Sequence, residues 1–159
     1  MAADSKAVTA VLDCIPQQEP FRFIDEILKL EADAIVSTYR FKEDEYFYGG
    51  HFPGLPITPG VILIETMAQT GVVALGIHQL LSQGFEPLQI RRMKPLFAFA
   101  DRVEFSGVVS PGERVTVRGR KEYFRRGNLK SSITIENEAG EVVCSGLLTG
   151  AGVQIDATE

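Results

Sequence analysis

Gly49-Gly50-His51-Phe52-Pro53-Gly54-Leu55-Pro56-Ile57-Thr58-Pro59-Gly60-Val61-Ile62-Leu63-Ile64-Glu65-Thr66-Met67-Ala68-Gln69 is a stiff glycine- and proline-rich loop that feeds a strongly apolar run continuing to Leu81. Thr58 is a good helix N-cap, Pro59 suits the first helical position, where its missing N–H costs nothing, and Gly60 follows. A helix that is apolar on nearly every side is normally buried on all of them, so the rest of the chain has to wrap around it. On the N-terminal side, residues 5–14 have the apolar spacing of a short helix capped by Asp4 or Ser5 and ended before Pro16. Phe21–Leu30 and Ala34–Phe41 alternate like strands around a Glu31-Ala32-Asp33 hairpin. On the C-terminal side, Leu88–Ala98, Val103–Val109, Arg114–Phe124, Leu129–Asn137 and Glu141–Gly150 are predicted strands. Their joints at Pro111-Gly112, Arg126-Gly127-Asn128 and Glu138-Ala139-Gly140 carry sound turn chemistry. The expected class is α+β: a long central apolar helix wrapped by a curved antiparallel β-sheet.

At 159 residues the chain suits one domain with a real core, and no linker, repeat or low-complexity tract divides it. Residues 1–4 and 151–159 are expected to be loose ends. The two cysteines, Cys14 and Cys144, read as free thiols of a reducing cytosol, because a disulfide framework needs more. No basic segment precedes an apolar one as in a secretory signal, and a cytoplasmic protein is expected. Thr66–Phe85 carries no formal charge, yet Gln69, His78, Gln79, Ser82, Gln83 and three glycines favour a buried core helix over a membrane span. The net charge of −5 disfavours nucleic acid as a partner. No cluster of metal-ligating residues and no glycine-rich phosphate loop is visible, so neither a metal nor a nucleotide cofactor is expected.

His51 and Glu65 are the candidate catalytic residues. The loop fixes an imidazole, whose ordinary pKa suits proton transfer near neutrality. The apolar helix desolvates a carboxylate, which favours its protonated form. Gly60 and Val61 present unpaired N–H groups at the positive end of the helix, where a carbonyl oxygen gaining negative charge can be held. Gln69 lies four residues after Glu65 on the same face, within reach to orient it, and Pro59 supports the helix start. A lone histidine or glutamate usually has a structural role; the loop, the helix start and Gln69 together argue for an acid–base site.

The run from Gly50 to Gln69 resembles the signature of the β-hydroxyacyl-acyl carrier protein dehydratases (the FabZ/FabA family), which have a hotdog fold. Their His-Phe-Pro-Gly-x-Pro-x-x-Pro-Gly-Val, followed by an acidic residue and Met-Ala-Gln, stands here as His51–Val61, Glu65 and Met67-Ala68-Gln69. Val103–Glu113 is similar to a strand–turn–strand of these enzymes, and the likeness covers roughly residues 15–150. Glutamate at position 65 is similar to the FabZ branch; FabA-type enzymes, which also isomerise the product, carry aspartate. The resemblance implies reversible loss of water from a (3R)-3-hydroxyacyl thioester on an acyl carrier protein, with His51 as base and Glu65 as acid. It also implies a homodimer in which the histidine of one subunit faces the glutamate of the other, and in FabZ-like enzymes often a hexamer built as a trimer of dimers. The family's usual Pro-His-Arg near the N-terminus is Pro16-Gln17-Gln18 here, and the common Arg and Met of the loop are Leu55 and Thr58. None of these is the acid, the base or the helix-start glycine, so the departures bear on the substrate: housekeeping fatty-acid synthesis, or an aryl-polyene or polyketide pathway.

An acidic carrier has to dock on a local basic patch. Arg91, Arg92 and Lys94, or Arg118, Arg120, Lys121, Arg125 and Arg126, are candidates, though each also fits an ordinary solvated face. Val61, Leu63, Ile64, Val72 and Leu75 can line an acyl tunnel or simply fill the core. Two rival functions remain open: a hotdog thioesterase whose carboxylate activates water, and a non-catalytic acyl-binding subunit.

Overall fold

In the computed structural model, which describes residues 3–154, the Asp4 carboxylate accepts the Lys6 N–H and starts helix α1 (Ser5–Cys14). Strands β1 (Glu26–Leu30) and β2 (Ala34–Arg40) form the expected hairpin. β1 begins at Glu26 and not at Phe21, because Phe21 O and Phe23 N–H bond the side chain of Gln69 instead of a neighbouring strand. The central helix α2 (Gly60–Ser82) is long and apolar enough to cross a membrane by composition, but most of it is buried inside the protein. It is the core helix that its all-round apolarity predicts. α2 is α-helical over Gly60–Ala68 and Leu75–Ser82 and widens to π-helical turns over Gln69–Ala74.

A short helix α3 (Pro87–Arg92) replaces the start of the strand predicted from Leu88. Pro87 presets its first turn, and the Gln89 side chain accepts the Glu86 N–H at 2.9 Å, a local signal that the β-rich composition hides. The two strands expected at Leu88–Ala98 and Val103–Val109 are one strand, β3 (Met93–Phe105), with a bulge between Asp101 and Glu104 and Arg102 at φ 51°. The apparent break in the pattern is that bulge, which bends a strand without ending it. β4 (Arg114–Arg125), β5 (Asn128–Glu136) and β6 (Val142–Gln154) complete the sheet. Arg126 and Gly127, both left-handed at φ 51° and 77°, make the two-residue turn between β4 and β5, as a tight hairpin demands. β6 runs through residues 151–154, expected to be loose, because Met93 to Leu96 of β3 pair with them. Residues 1–2 and 155–159 lie outside the described residues.

The sheet order is β1-β2-β4-β5-β6-β3, every pair antiparallel. It wraps α2 as a single hotdog-like domain. The helix and sheet backbones come close where Gly119 of β4 meets Gly71: a Cβ on Gly119 would lie 2.9 Å from the Gly71 Cα. The first half of α2 packs through Ile62, Leu63 and Met67 against Phe23, Tyr39, Val117 and Ile133. The second half packs through Val73, Leu75 and Ile77 against α1 and Ile35. Cys14 and Cys144 are buried free thiols in separate parts of this core.

Candidate active site

Residues 42–59 form the loop expected from their glycines and prolines, and backbone bonds hold it to itself. The His51 N–H donates to Phe47 O, Ile57 N–H donates to His51 O, and Phe52 and Leu55 exchange both of their bonds around Gly54 at φ 76°. The His51 Nδ1 lies 2.9 Å from Ile57 O. A carbonyl can only accept, so Nδ1 carries a hydrogen, and in the neutral ring Nε2 is the nitrogen with the lone pair. The Phe52 ring stacks on the imidazole with centroids 4.0 Å apart. The loop thus fixes both the tautomer and the plane of a basic nitrogen. The second histidine, His78, is held below the usual imidazole range by burial and lies in the second half of α2.

Thr58 does not cap the helix. Its hydroxyl pairs with Tyr48 Oη at 2.7 Å and its N–H donates to Val109 O, so Pro59 is the cap residue and Gly60 the first helical one. The anchoring tyrosine belongs to the Tyr46-Phe47-Tyr48 run, whose polar tip finds a partner when its ring is buried. Ile62 and Leu63 both donate to Pro59 O, which leaves the Gly60 and Val61 N–H groups free of helical bonds, as at any helix start. The Phe105 ring covers Gly60: a Cβ there would sit 3.0 Å from its Cε1. Nothing in the sequence signals this neighbour, because β3 is brought to the helix by sheet topology.

Glu65 is half-buried, and burial raises its carboxyl pKa against a smaller lowering by Gln69. Gln69 is fully buried and its amide is wholly committed. Its Oε1 accepts the Phe23 N–H at 2.7 Å, while Nε2 donates to Phe21 O at 2.8 Å and to Glu65 Oε1 at 2.9 Å. Phe23 N–H can only donate and Phe21 O can only accept, so the amide has one orientation. Glu65 Oε1 is therefore an acceptor, and the proton favoured by burial belongs on Oε2. Within the chain, among the described residues, no hydrogen bond joins His51 to Glu65.

Glu65 opens on a cavity of about 110 Å³ lined by Gln17, Ala68, Val72, Val73, Pro95, Leu96, Phe97 and Gly150. A second, larger apolar cavity of about 400 Å³ shares Val72, Val73, Pro95 and Gly150 with it and extends to Cys14, Ile77, Leu80, Ile90 and Leu129. Of the five tunnel candidates, only Val72 lines either space. Leu63 and Leu75 are core, and Val61 is 72% exposed. Sequence reading missed most of the cavity wall because its residues come from α1, α3, β3 and β6.

Arg91 and Arg92, exposed at the end of α3, lie between the wall residues Ile90 and Met93. Arg125 and Arg126, also exposed, follow the wall residue Phe124, and Arg126 itself lines the larger cavity. Of these four arginines, Arg126 lines the larger cavity and the other three adjoin its wall residues in sequence. The other basic candidates are engaged within the chain: Arg118 pairs with Glu136, Arg120 with Asp33, Lys121 bonds Gln79, and Lys94 bonds Arg91 O. Among the described residues no three His, Cys, Asp or Glu side chains cluster so as to hold a metal ion.

Comparison with known proteins matches residues 15–144 to the FabA-like domain. The chain is 35% identical to a 3-hydroxyacyl-[acyl-carrier-protein] dehydratase FabZ of Caldicellulosiruptor saccharolyticus, covering 89% of this chain and 94% of that protein. Its fold is similar to the dehydratase heterocomplex ApeI:P of Xenorhabdus doucetiae, with TM-score 0.71, 14% identity and 90% of each chain covered. A thioesterase of Haemophilus influenzae shares the fold at TM-score 0.56 and 18% identity, over 81% of this chain and 78% of that one.

Proposed function

The chain belongs to the FabA-like family, and from that premise we propose that it is a FabZ-like 3-hydroxyacyl-[acyl carrier protein] dehydratase, acting in fatty-acid or related polyene or polyketide biosynthesis. The observation that carries the reading is the Glu65 carboxyl, desolvated in α2 and oriented by Gln69, in a chain whose loop leaves His51 Nε2 free as a base. A (3R)-3-hydroxyacyl thioester binds with its carbonyl oxygen at the Gly60 and Val61 N–H groups. His51 Nε2 takes the α proton while negative charge grows on that oxygen. Glu65 Oε2 gives its proton to the β-hydroxyl, the C–O bond breaks, and water leaves with a trans-2-enoyl thioester. The resulting imidazolium and carboxylate exchange a proton through solvent to restore the site. Contacts that strengthen only as this charge develops raise the rate more than they raise binding.

The apolar cavities beside Glu65 suit an acyl chain. The exposed arginine pairs at Arg91-Arg92 and Arg125-Arg126 suit an acidic carrier, whose docking has to overcome the net charge of −5. The β3 edge exposes Leu96, Phe97, Phe99 and Phe105 at 50–72%, a long apolar edge of the kind that soluble proteins cover. We assign it to a second copy, so that the two sheets run together and His51 of one subunit faces Glu65 of the other, with further assembly to a hexamer open to such a dimer. The location that suits this role is the cytoplasm.

A thioesterase shares the fold, but hydrolysis needs no base at the His51 position. The test is incubation with 3-hydroxyacyl carrier thioester: conjugated enoyl product is expected, whereas free acid would mean a thioesterase and no reaction a binding subunit. His51→Ala and Glu65→Gln should each lower kcat by on the order of 10²–10⁴. Mixing the two inactive variants should restore activity through hybrid dimers, and no recovery despite demonstrated subunit exchange would place both groups in one chain.

A further inference from the structure

Gly76 lies in the second half of α2, in helical backbone outside the left-handed region. A glycine inside a helix costs stability relative to alanine, so its presence asks for a reason. At Gly71 and Gly119 the reason is close packing: a Cβ would collide with the Ile133 side chain at the first and with the Gly71 backbone at the second. Gly76 has no such neighbour. Beyond its own helix backbone, a Cβ there would meet only Leu129 Cδ2 among the described residues, at an ordinary contact distance of 3.6 Å. Gly76 and Leu129 both line the larger apolar cavity, so the missing side chain leaves room in that cavity.

This cavity and the one beside Glu65 share Val72, Val73, Pro95 and Gly150. Val72 rests in the notch that Gly150 leaves, since a Cβ on Gly150 would lie 2.6 Å from Val72 Cγ1. Ligand pockets hold roughly 300–1,000 Å³. At about 110 Å³ the space beside Glu65 falls short of that range, whereas the larger one, at about 400 Å³, reaches it. The first suits the reacting end of a substrate and little of its tail. The second, walled by Ile77, Leu80, Ile90 and Leu129, suits an apolar tail. We propose that Gly76 is a specificity-determining residue, whose missing side chain keeps the larger cavity open for the distal carbons of a long acyl chain. The substrate class is then the 3-hydroxyacyl thioesters whose tails outgrow the space beside Glu65, and that class rests on the dehydratase reading of the site.

The probes are carrier-bound 3-hydroxybutyryl and 3-hydroxydodecanoyl thioesters, with butyryl and dodecanoyl thioesters as unreactive ligands, on the wild type, Gly76→Ala and Gly76→Leu. The wild type should show the higher kcat/KM for the dodecanoyl substrate. Leucine takes the room of about four methylenes, each worth roughly a factor of four on leaving water, so Gly76→Leu should lower that kcat/KM on the order of a hundredfold. The butyryl substrate should stay within about twofold, since its tail does not reach the second cavity. Gly76→Ala should cost the long substrate about fourfold, and its unfolding temperature should rise because alanine is the better helix former. Binding of the saturated thioesters should show the same dependence on length. Equal effects on the two lengths would overturn the proposal, as would a wild type that prefers the short substrate. So would a lower unfolding temperature in Gly76→Ala, which tests the residue even if Gly76→Leu does not fold. If the wild type forms no enoyl product but the saturated thioesters bind with that dependence on length, the dehydratase reading fails and the hold of Gly76 on chain length stands. If product forms and the dependence on length is absent, the Gly76 role alone is refuted.

Discussion

Replacing Gln69 by leucine separates the two duties of one side chain. The amide satisfies the Phe23 N–H and Phe21 O, and it donates to Glu65 Oε1. Leucine fills a similar space but pairs with none of them. The Phe23 N–H is fully buried, and an unpaired buried donor costs on the order of 1–3 kcal/mol; Phe21 O, only part-buried, falls at the low end of that range. The expected loss is therefore about 2–4 kcal/mol, or roughly 4–16 °C in unfolding temperature at 2–4 °C per kcal/mol for a chain of this length. The catalytic effect has a separate signature. The Gln69 bond lowers the Glu65 pKa against burial, so removing it moves that pKa further up. An acid works while protonated, and activity lost with rising pH should be lost at higher pH in Gln69→Leu than in the wild type. The checks are thermal unfolding and the pH dependence of kcat with a 3-hydroxyacyl thioester, measured on variant that remains folded. A descending limb that stays in place or moves to lower pH would refute the assignment of Glu65 as the acid tuned by Gln69.

Stability itself should depend on Glu65. Its pKa is raised in the folded state, so the native protein binds more protons than the unfolded chain between the two values, and stability falls as pH rises through the folded pKa. Chemical denaturation of Glu65→Gln across that window should show a flatter pH dependence, and an unchanged slope would mean that burial does not perturb this carboxyl. Gly119→Ala forces a methyl to within 2.9 Å of the Gly71 backbone; overpacking of this kind costs about 1–3 kcal/mol, and an unfolding temperature equal to that of the wild type would show that the helix and sheet are not in close register there. Charge reversal at Arg91 and Arg92, or at Arg125 and Arg126, should raise KM for the carrier-bound substrate and weaken its salt dependence, with little effect on a short soluble thioester. Equal effects on both substrates would assign these arginines to stability.

Much of this protein is decided locally and can be read from the chain. α1 occupies the residues its apolar spacing marks out, because Asp4 and Pro16 bound it. The loop before α2 follows from its glycines and prolines, and Gln69 reaches Glu65 because four residues bring side chains together on any helix. The errors arose where a local pattern was consistent with two structures. Phe21 and Phe23 alternate like a strand but bond a helix side chain; Thr58 has the chemistry of a cap but finds Tyr48; the gap after Ala98 looks like a turn and is a bulge. Tertiary structure alone decided which distant residues meet: Phe105 over Gly60, Gln17 in the cavity with Glu65, and Arg126 on the wall of the larger apolar space with Ile90 and Met93. Helix caps, turns and helix faces depend on neighbours a few residues away. The partners that fill or face the site arrive through strand order and register, which depend on the summed burial of the whole sheet and leave no mark at the positions they bring together.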